Sequence, residues 1–429
     1  MIQEFKIKNY KSFRDEVTLS FDATKDTTFE STHVVEVSKG IRLLRLALIY
    51  GANASGKSNL LEAFDFLRNF WFMRHSDMDE STGTIPFLLD KNTPKEPSEF
   101  SLKFFIGSTR YWYVLSLDTH HVVSEKLYYY KSVQPTMLFS REYQNGQSVI
   151  KFNSAVLKVS NTVVEEITIK CLPNMSFFAA RNMVNCALGP IDEARDWMRR
   201  HTLPVIDPRT LMFNYAGRKM LENSKMKKYI LDFVHRADFN ITDVSVEKKS
   251  EPMPADFRDF LLNDGNLTKE EKDKLQGSPV YDRVDTNFEH TVKNSRGIEK
   301  YTLPNELQSQ GTRRTFGIEA AIYQAMSDDE FLPIDEIESS LHPELIEFIL
   351  EQFLKKESRS QLLVTTHYDP LLNTIDDLIR KDSVWFTEKG EDGNSELYSL
   401  SDFKGLNKIR SFQKSYRNGR FGALPNIQA

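Results

Sequence analysis

A glycine-rich segment near the amino terminus carries the strongest chemical signal in the sequence. Its residues are Gly51, Ala52, Asn53, Ala54, Ser55, Gly56, Lys57 and Ser58. They fit the pattern G-x-x-x-x-G-K-[ST] at every fixed position. Glycine lets the backbone bend so that successive N–H groups point at phosphate oxygens. Lys57 is expected to neutralise the β- and γ-phosphates, and Ser58 to place its hydroxyl on Mg²⁺. The segment predicts a nucleoside triphosphate site; the alternative is an ordinary glycine-rich turn.

An acidic pair forms the second chemical feature, within the stretch FLPIDEIESSLHP at residues 331–343. A short apolar run delivers Asp335 and Glu336 to the end of a strand, and ligands of parallel α/β sheets sit beyond such ends. Asp335 is expected to hold the Mg²⁺ shell beside Ser58, and Glu336 to orient or deprotonate the attacking water. Pro333 cannot donate a ladder hydrogen bond, so this strand is expected to be short or irregular.

A histidine closes the next apolar run, QLLVTTH, which ends at His367. A histidine at a strand end that faces a nucleotide would contact the γ-phosphate or the attacking water. The alternative is an ordinary loop residue, and the position after the acidic pair favours the functional interpretation.

Secondary-structure elements must position these side chains. Residues 43–50, LLRLALIY, form a near-continuous apolar run of the kind that marks a buried parallel strand. After the glycine-rich segment, apolar residues recur at helical spacing. They are Leu60, Leu61, Phe64, Leu67 and Trp71. The predicted order of strand, glycine loop and helix is the context that the phosphate-binding pattern requires.

The rest of the chain falls into stretches of different character. Short strands are predicted at residues 2–7 and 16–21, around a turn, and an aromatic-rich antiparallel sheet at residues 85–155. Helices are predicted at residues 190–235, followed by a polar stretch of loops or short helices at residues 250–280. A hairpin is predicted at residues 284–303, and the α/β pattern returns from residue 305 onward.

Composition narrows the class of protein. The chain has 429 residues, 40% of them hydrophobic and 27% charged, which permits a sizeable core. Its net charge of −5 excludes a polycation that coats nucleic acid by charge alone. Cys171 and Cys186 are the two cysteines, so neither a zinc site nor a disulfide framework is indicated. The amino terminus does not read as a signal peptide and no apolar run approaches the length of a spanning helix, so a cytoplasmic protein without membrane contact is expected.

Taken in order, these motifs resemble a known family. NYKSF, GANASGKSN, LQSQGTRR, IDEIESSLHP and TTH are similar to the ABC-type ATPase heads of the SMC and RecF class. More narrowly, the chain resembles the stand-alone bacterial AAA ATPases of abortive-infection and anti-phage defence. These are related to the ATPase half of overcoming-lysogenization-defect nucleases. The closing KSYRNGRFGALPNI is similar to the carboxyl end of that group. The resemblance covers residues 1–75 and 285–429 well and the middle loosely.

The resemblance implies an α/β fold, an ABC-type head with an antiparallel β-rich lobe and a helical insertion. No long coiled coil is expected, because the insertion lacks heptads. Four segments follow. They are 1–84 with Walker A, 85–160 as the β-rich lobe, 161–304 as a mainly helical insertion, and 305–429 with the signature, Walker B, D-loop and switch histidine.

The resemblance also implies roles for individual residues. Asn59 and Lys11 join the glycine-rich segment in ATP binding. Asp335 is the Walker B aspartate, Glu336 the catalytic glutamate and His367 the switch histidine, and residues 339–343 form the D-loop. Ser309 and Gly311 match the signature, which contacts the γ-phosphate bound on another subunit. Gln310 replaces the first signature glycine, so the backbone is not expected to approach phosphate in the same way, which bears on the strength of ATP-driven dimerisation. Gln134 is the Q-loop candidate.

The function implied is a Mg-ATP-hydrolysing switch that acts as a homodimer or higher homo-oligomer. A sensor or scaffold of an anti-phage system fits best, with a separate effector, because too few residues follow His367 for a TOPRIM nuclease domain. The alternatives are a RecF-like DNA-repair ATPase, a scaffold that binds ATP with little turnover, and a small-molecule kinase. DNA is a possible partner. Several basic residues could contact DNA, and the alternative is that they form a solvated surface. They are Arg313, Arg314, Lys408, Arg410, Lys414, Arg417 and Arg420.

Overall fold

The computed structural model describes residues 1–210, 212–237, 240–253 and 280–425. The α-helices among these residues are α1 (Glu30–His33), α2 (Lys57–Phe70), α3 (Asn161–Lys170), α4 (Phe177–Arg181), α5 (Pro190–Arg200), α6 (Phe213–Glu222), α7 (Ser224–Arg236), α8 (Gln310–Asp328), α9 (Pro343–Lys355) and α10 (Phe412–Arg417). The longest, α8, has 19 residues, so this part of the chain contains no long coiled coil. None of the helices described has both the length and the apolar character needed to cross a membrane.

The strands of the described residues are β1 (Ile2–Lys8), β2 (Val17–Ser20), β3 (Val34–Ser38), β4 (Ile41–Leu44), β5 (Leu46–Gly51), β6 (Ser98–Ile106), β7 (Thr109–Leu117), β8 (Val122–Tyr130), β9 (Thr136–Gln144), β10 (Gln147–Phe152), β11 (Ile241–Pro252), β12 (Val280–Asn294), β13 (Gly297–Pro304), β14 (Phe331–Ile334), β15 (Gln361–Thr366), β16 (Val384–Lys389) and β17 (Ser395–Ser399). The chain forms two compact units. The first contains residues 1–209, 325–339 and 346–429, and the second contains residues 210–324 and 340–345.

A five-stranded sheet of order β14-β15-β5-β16-β17 lies at the centre of the first unit. Strands β14, β15, β5 and β16 run parallel, which directs their carboxyl ends to one edge. Every residue of β5 is buried, as its apolar sequence predicts. The apolar stripe of α2 joins the core; Phe64 packs on Phe5, with ring centroids 3.9 Å apart. The predicted order of strand, loop and helix is confirmed.

The apolar run at residues 43–50 is two strands and not one. Arg45 separates β4, which pairs with β3, from β5 in the five-stranded sheet. The Arg45 side chain is buried, and its guanidinium donates to the carbonyl oxygens of Phe353 and Leu354 at 3.1 and 3.2 Å. Burial lowers the pKa of this guanidinium to about 10. A buried cation needs several acceptors. These carbonyl oxygens supply them at the point where the chain passes from one sheet to the other.

Pro333 sits in a short strand at the edge of the sheet. Strand β14 has four residues and one named neighbour, β15, with Pro333 in register with Leu363. An edge strand tolerates a residue that cannot donate to the ladder. The carbonyl of Pro333 still accepts from the N–H of Ile206 at 3.0 Å. The expected short strand is thus present.

The aromatic-rich region forms the expected antiparallel sheet. Its order is β10-β9-β8-β7-β6-β1-β2, so the two amino-terminal strands continue it. Side chains alternate between buried and part-exposed along β7 and β8, which is the period of a half-buried sheet. Helices α3, α4 and α5 contribute Ile167, Phe178 and Trp197 to the same core.

The second unit contains α6, α7, most of α8 and a three-stranded antiparallel sheet, β11-β12-β13. The mainly helical character expected for residues 161–304 is therefore wrong for the described residues 241–252 and 280–304, which are mostly strands. The hairpin expected at 284–303 is present as β12 and β13, with Asn294 paired to Gly297. Strand β11 pairs with β12 of this hairpin, and the buried side chain of Val244 lies opposite the buried Phe288. The expectation of loops or short helices at 250–280 lies largely outside the described residues.

Candidate functional site

The glycine-rich loop joins the end of β5 to the start of α2 and fits tightly against β16. A Cβ atom on Gly51 would stand 2.4 Å from Thr387 Oγ1 and 2.5 Å from Ser55 Oγ. Ser55 and Thr387 also share a hydrogen bond of 2.6 Å. Gly56 has φ of +112°, a conformation that L side chains rarely adopt. Both fixed glycines of the motif are therefore required by the geometry of the loop.

Lys57 opens α2 and folds back over the loop. Its ammonium donates to the carbonyl oxygens of Gly51 and Ala52, each at 2.9 Å. The residue is only 5% exposed. Burial lowers its pKa, while the negative charge of Asp335 acts in the opposite direction. A lysine cation held over a glycine-rich loop at the start of a helix is suited to an anionic ligand.

The amino-terminal strands supply a second wall beside the loop. The Asn59 amide donates to Ser12 Oγ at 2.8 Å, and Lys11 forms an ion pair with Glu62. A cavity of about 330 Å³ opens beside Lys11, Ser12 and Asn59, and its other lining includes residues 85–89. The implied nucleotide neighbours Lys11 and Asn59 thus lie together on the same side of α2.

The acidic pair follows β14, as expected. Asp335 is buried, with 8% exposure, and its carboxylate accepts a hydrogen bond from the Thr365 hydroxyl. Its N–H donates to the carbonyl of Ile206 at 2.8 Å. Glu336 has φ of +46°, a strained value for a non-glycine residue. The Thr365 hydroxyl also accepts from the Glu336 N–H at 2.8 Å, which holds the acidic loop against the end of β15.

His367 follows β15 and faces the acidic pair. Its Nε2 atom lies 4.0 Å from Glu336 Oε1. Its backbone N–H donates to the Glu338 carboxylate at 2.5 Å. Burial lowers the pKa of the imidazole, and the nearby Lys57 cation acts in the same direction. A neutral imidazole beside a carboxylate is suited to accept or donate a hydrogen bond at a reacting oxygen.

Three residues of this arrangement were not assigned roles from the sequence. Glu338 fixes the backbone of His367, Thr365 holds both members of the acidic pair, and Thr387 closes over Gly51. The sequence could have indicated Glu338, because this carboxylate lies two residues after Glu336. It could not have indicated Thr387, because that residue reaches the glycine-rich loop only through strand pairing.

The donor set fits Mg²⁺ bound together with a triphosphate. Ser58 and Asp335 offer a hydroxyl and a carboxylate, the hard oxygen ligands that this ion prefers beside substrate phosphates. No cluster of three histidine, cysteine or carboxylate side chains suited to a metal occurs within the described ranges. A site that uses one or two side chains plus phosphate oxygens needs no such cluster.

The residues predicted to form the signature, Ser309 and Gly311, belong to the second compact unit. The Ser309 hydroxyl accepts from the Thr312 N–H at 3.0 Å, so it caps the start of α8. A Cβ on Gly311 would stand 2.8 Å from the carbonyl oxygen of Ser340 in the D-loop segment. Gln134, the Q-loop candidate, lies in an exposed turn between β8 and β9.

We expect Gly56→Ala to destabilise the loop more than Gly40→Ala does. Both glycines have positive φ, but a Cβ at Gly56 meets Ser395 Oγ at 2.7 Å, whereas a Cβ at Gly40 meets nothing within 4 Å. Strain alone costs about 1 kcal/mol at each position, so the excess at Gly56 reports the steric conflict. Chemical denaturation of both variants measures it, and equal losses would contradict the tight fit described above.

The sequence matches a protein-family model over more than half of its length. Residues 46–155 and 191–373 match the family model described as "AAA domain, putative AbiEii toxin, Type IV TA system". Comparison with curated protein sequences gives no match.

Solved structures similar to the chain include SMC head domains. The SMC head domain from Thermotoga maritima has a TM-score of 0.42 and 12% identity, covering 93% of this chain and 98% of that one. An SMC head bound to the C-terminal winged-helix domain of ScpA has a TM-score of 0.41 and 14% identity, covering 94% and 99%. An SMC head with an extended coiled coil, bound to a ScpA domain and described as derived from Pyrococcus furiosus, has a TM-score of 0.39 and 14% identity, covering 95% and 99%.

The family match spans both sides of the site, from β5 through the phosphate-binding loop to the acidic pair and His367. The parallel sheet that carries this loop, with an antiparallel sheet and helices beside it, confirms the expected α/β ATPase head. The chain therefore belongs to the AAA-domain family that bears the AbiEii toxin name, a family of nucleotide-binding P-loop ATPases.

Proposed function

We propose that this protein binds and hydrolyses Mg-ATP and that ATP closes two copies into a homodimer. The observation that carries the proposal is the meeting of three strand ends. The glycine-rich loop follows β5, the acidic pair follows β14 and His367 follows β15, and these strands are neighbours in one parallel sheet. Lys57 holds the phosphates, Ser58 and Asp335 hold the ion, and Glu336 activates the water. Mg²⁺ supplies charge neutralisation at the developing phosphate charge.

Closure into a dimer follows from the chemistry of the γ-phosphate. A loop and a lysine on one subunit leave part of this group in water. A signature serine at the start of a long helix offers additional donors and the positive end of a helix dipole. Ser309 has this position at the start of α8. In this proposal Ser309 and Gly311 of a second copy complete the site, and hydrolysis releases them.

The biological role proposed is an ATP-dependent sensor or scaffold of an anti-phage system that acts through a separate effector. The family name refers to a toxin of type IV toxin–antitoxin systems, and this supports a role in abortive infection with a partner protein. A bacterial two-hybrid or co-purification experiment with the products of neighbouring genes identifies that partner.

Lys57→Ala tests the nucleotide site. The variant removes the cation that lies over the loop, and we expect ATP affinity to fall on the order of 100-fold, since hydrogen bonds to charged groups contribute about 1.5–3 kcal/mol each. Titration calorimetry measures ATP binding, and light scattering of the eluted protein measures ATP-dependent dimerisation, which should disappear. Lys25→Ala, at an exposed lysine, is the matched control. Unchanged affinity in Lys57→Ala would refute the proposal.

A further inference from the structure

The carboxyl-terminal segment has an unusual charge. Residues 403–425 contain six cationic side chains and no aspartate or glutamate, although the whole chain has a net charge of −5. The cations are Lys404, Lys408, Arg410, Lys414, Arg417 and Arg420. We call residues 403–425 the carboxyl-terminal cap.

The cap is folded around aromatic rings and is not an extended tail. Phe421 packs against Phe403 and Phe386, with centroids 5.2 and 5.7 Å apart, and Phe412 lies 6.4 Å away. The Tyr416 hydroxyl donates to the carbonyl of Ala423 at 3.0 Å, which closes the chain on itself. Three separate turns of the cap, at Phe403, Phe412 and Phe421, therefore meet at one aromatic cluster, so the cations are carried by a folded segment.

All six cations are exposed, and little opposes their charge. Arg417 pairs with Asp369, and Glu388 lies close to Gly422. Within the part of the chain that the structure describes, no carboxylate lies at ion-pair distance from Lys404, Lys408, Arg410 or Lys414. Arg420 donates to the backbone carbonyl of Lys404 at 3.2 Å, which ties its turn to the start of the cap. Like charges held together repel, so the arrangement favours a polyanionic partner.

We propose that the carboxyl-terminal cap binds the phosphate backbone of duplex DNA without reading its sequence. The aromatic rings of the cap point inward: Phe412, Tyr416 and Phe421 are buried. Single-stranded nucleic acid is bound largely by stacking of bases on exposed aromatic rings, and the cap offers none of these three for that purpose. Exposed lysine and arginine on a rigid support are suited to the closely spaced phosphates of a duplex.

The site is separate from the nucleotide chemistry. None of the six cations belongs to the phosphate-binding loop, the acidic pair or the segment that contains His367. The cap does contact the turn that follows His367, because Arg417 and Gln413 reach Asp369 at its start. DNA binding can therefore be measured by itself, and the failure of one proposal leaves the other standing.

Fluorescence anisotropy of the full chain with a labelled duplex of arbitrary sequence tests the proposal. The logarithm of affinity should fall linearly with the logarithm of salt concentration, with a slope of about −0.9 for each phosphate neutralised. The triple variant Lys408→Gln/Arg410→Gln/Lys414→Gln should lower affinity on the order of tenfold or more and reduce the slope by about 3. The matched control is Lys25→Gln/Lys39→Gln/Lys91→Gln, at exposed lysines outside the cap that remove the same net charge.

Retained binding by the control and by Lys57→Ala would support the proposal, as would normal ATP affinity in the cap variant. Equal losses in the two triple variants would overturn it, because charge anywhere on the surface would then suffice. Tighter binding of a labelled single strand than of the duplex would also overturn it. If poly-glutamate binds as tightly and with the same dependence on the cap, the surface recognises an acidic protein and the assignment to DNA is wrong.

Discussion

Glu336→Gln should reduce the rate of ATP hydrolysis by about 10²- to 10⁴-fold, the range that a positioned general base contributes. The substitution keeps the shape of the side chain and the backbone bond to Thr365, and removes the carboxylate that faces His367 at 4.0 Å. ATP binding should persist, because Lys57 and the loop are unaltered. Single-turnover hydrolysis of radiolabelled ATP measures the chemical step, and the ATP-bound dimer should accumulate.

Glu357→Gln is the matched control, since Glu357 is an exposed glutamate just beyond the end of α9, the helix that follows the acidic segment. It should hydrolyse ATP at the parent rate. Equal rates in Glu336→Gln and the parent protein would mean that Glu336 is idle. The protein would then be the scaffold considered above, which binds ATP with little turnover.

Arg141→Leu should lower the free energy of unfolding by about 3–5 kcal/mol, the usual cost of removing one partner of a buried ion pair. The side chains of Arg141 and Glu125 are both fully buried, with 3.2 Å between Nη1 and Oε2. Glu125 also accepts from the Tyr113 hydroxyl at 2.8 Å and the Phe177 N–H at 2.7 Å. The variant would leave the Glu125 carboxylate without its cation in the core of the antiparallel sheet. Urea denaturation followed by tryptophan fluorescence measures the loss.

Lys126→Leu provides the comparison for a more exposed pair across the same two strands, β8 and β9. Lys126 lies 3.7 Å from Glu142 at the surface, and such a pair contributes about 0–1 kcal/mol. The double variant Glu125→Leu/Arg141→Leu should lose less stability than Arg141→Leu alone, because no unpaired charge remains. If Arg141→Leu costs no more than Lys126→Leu, the buried pair does not stabilise this sheet.

The sequence by itself determined the features that depend on neighbouring residues. The phosphate-binding loop is contiguous, and its glycines, lysine and flanking apolar runs all lie within residues 43–71. Strand β5 and helix α2 follow from their apolar periods, and the acidic pair and His367 were placed at strand ends by the same reasoning. The aromatic-rich composition of residues 85–155 likewise predicted an antiparallel sheet.

Other features were decided only by the tertiary structure, because they depend on which distant strands pair and in which register. Thr387 closes over Gly51 because β16 lies beside β5, and Thr365 holds the acidic pair because β15 lies beside β14. In the sequence, Arg45 is one polar residue within an apolar run. Only the structure shows that two carbonyl oxygens of α9 accept hydrogen bonds from it. Local periodicity carries no information about partners hundreds of residues away, whereas sheet register determines which residues become neighbours.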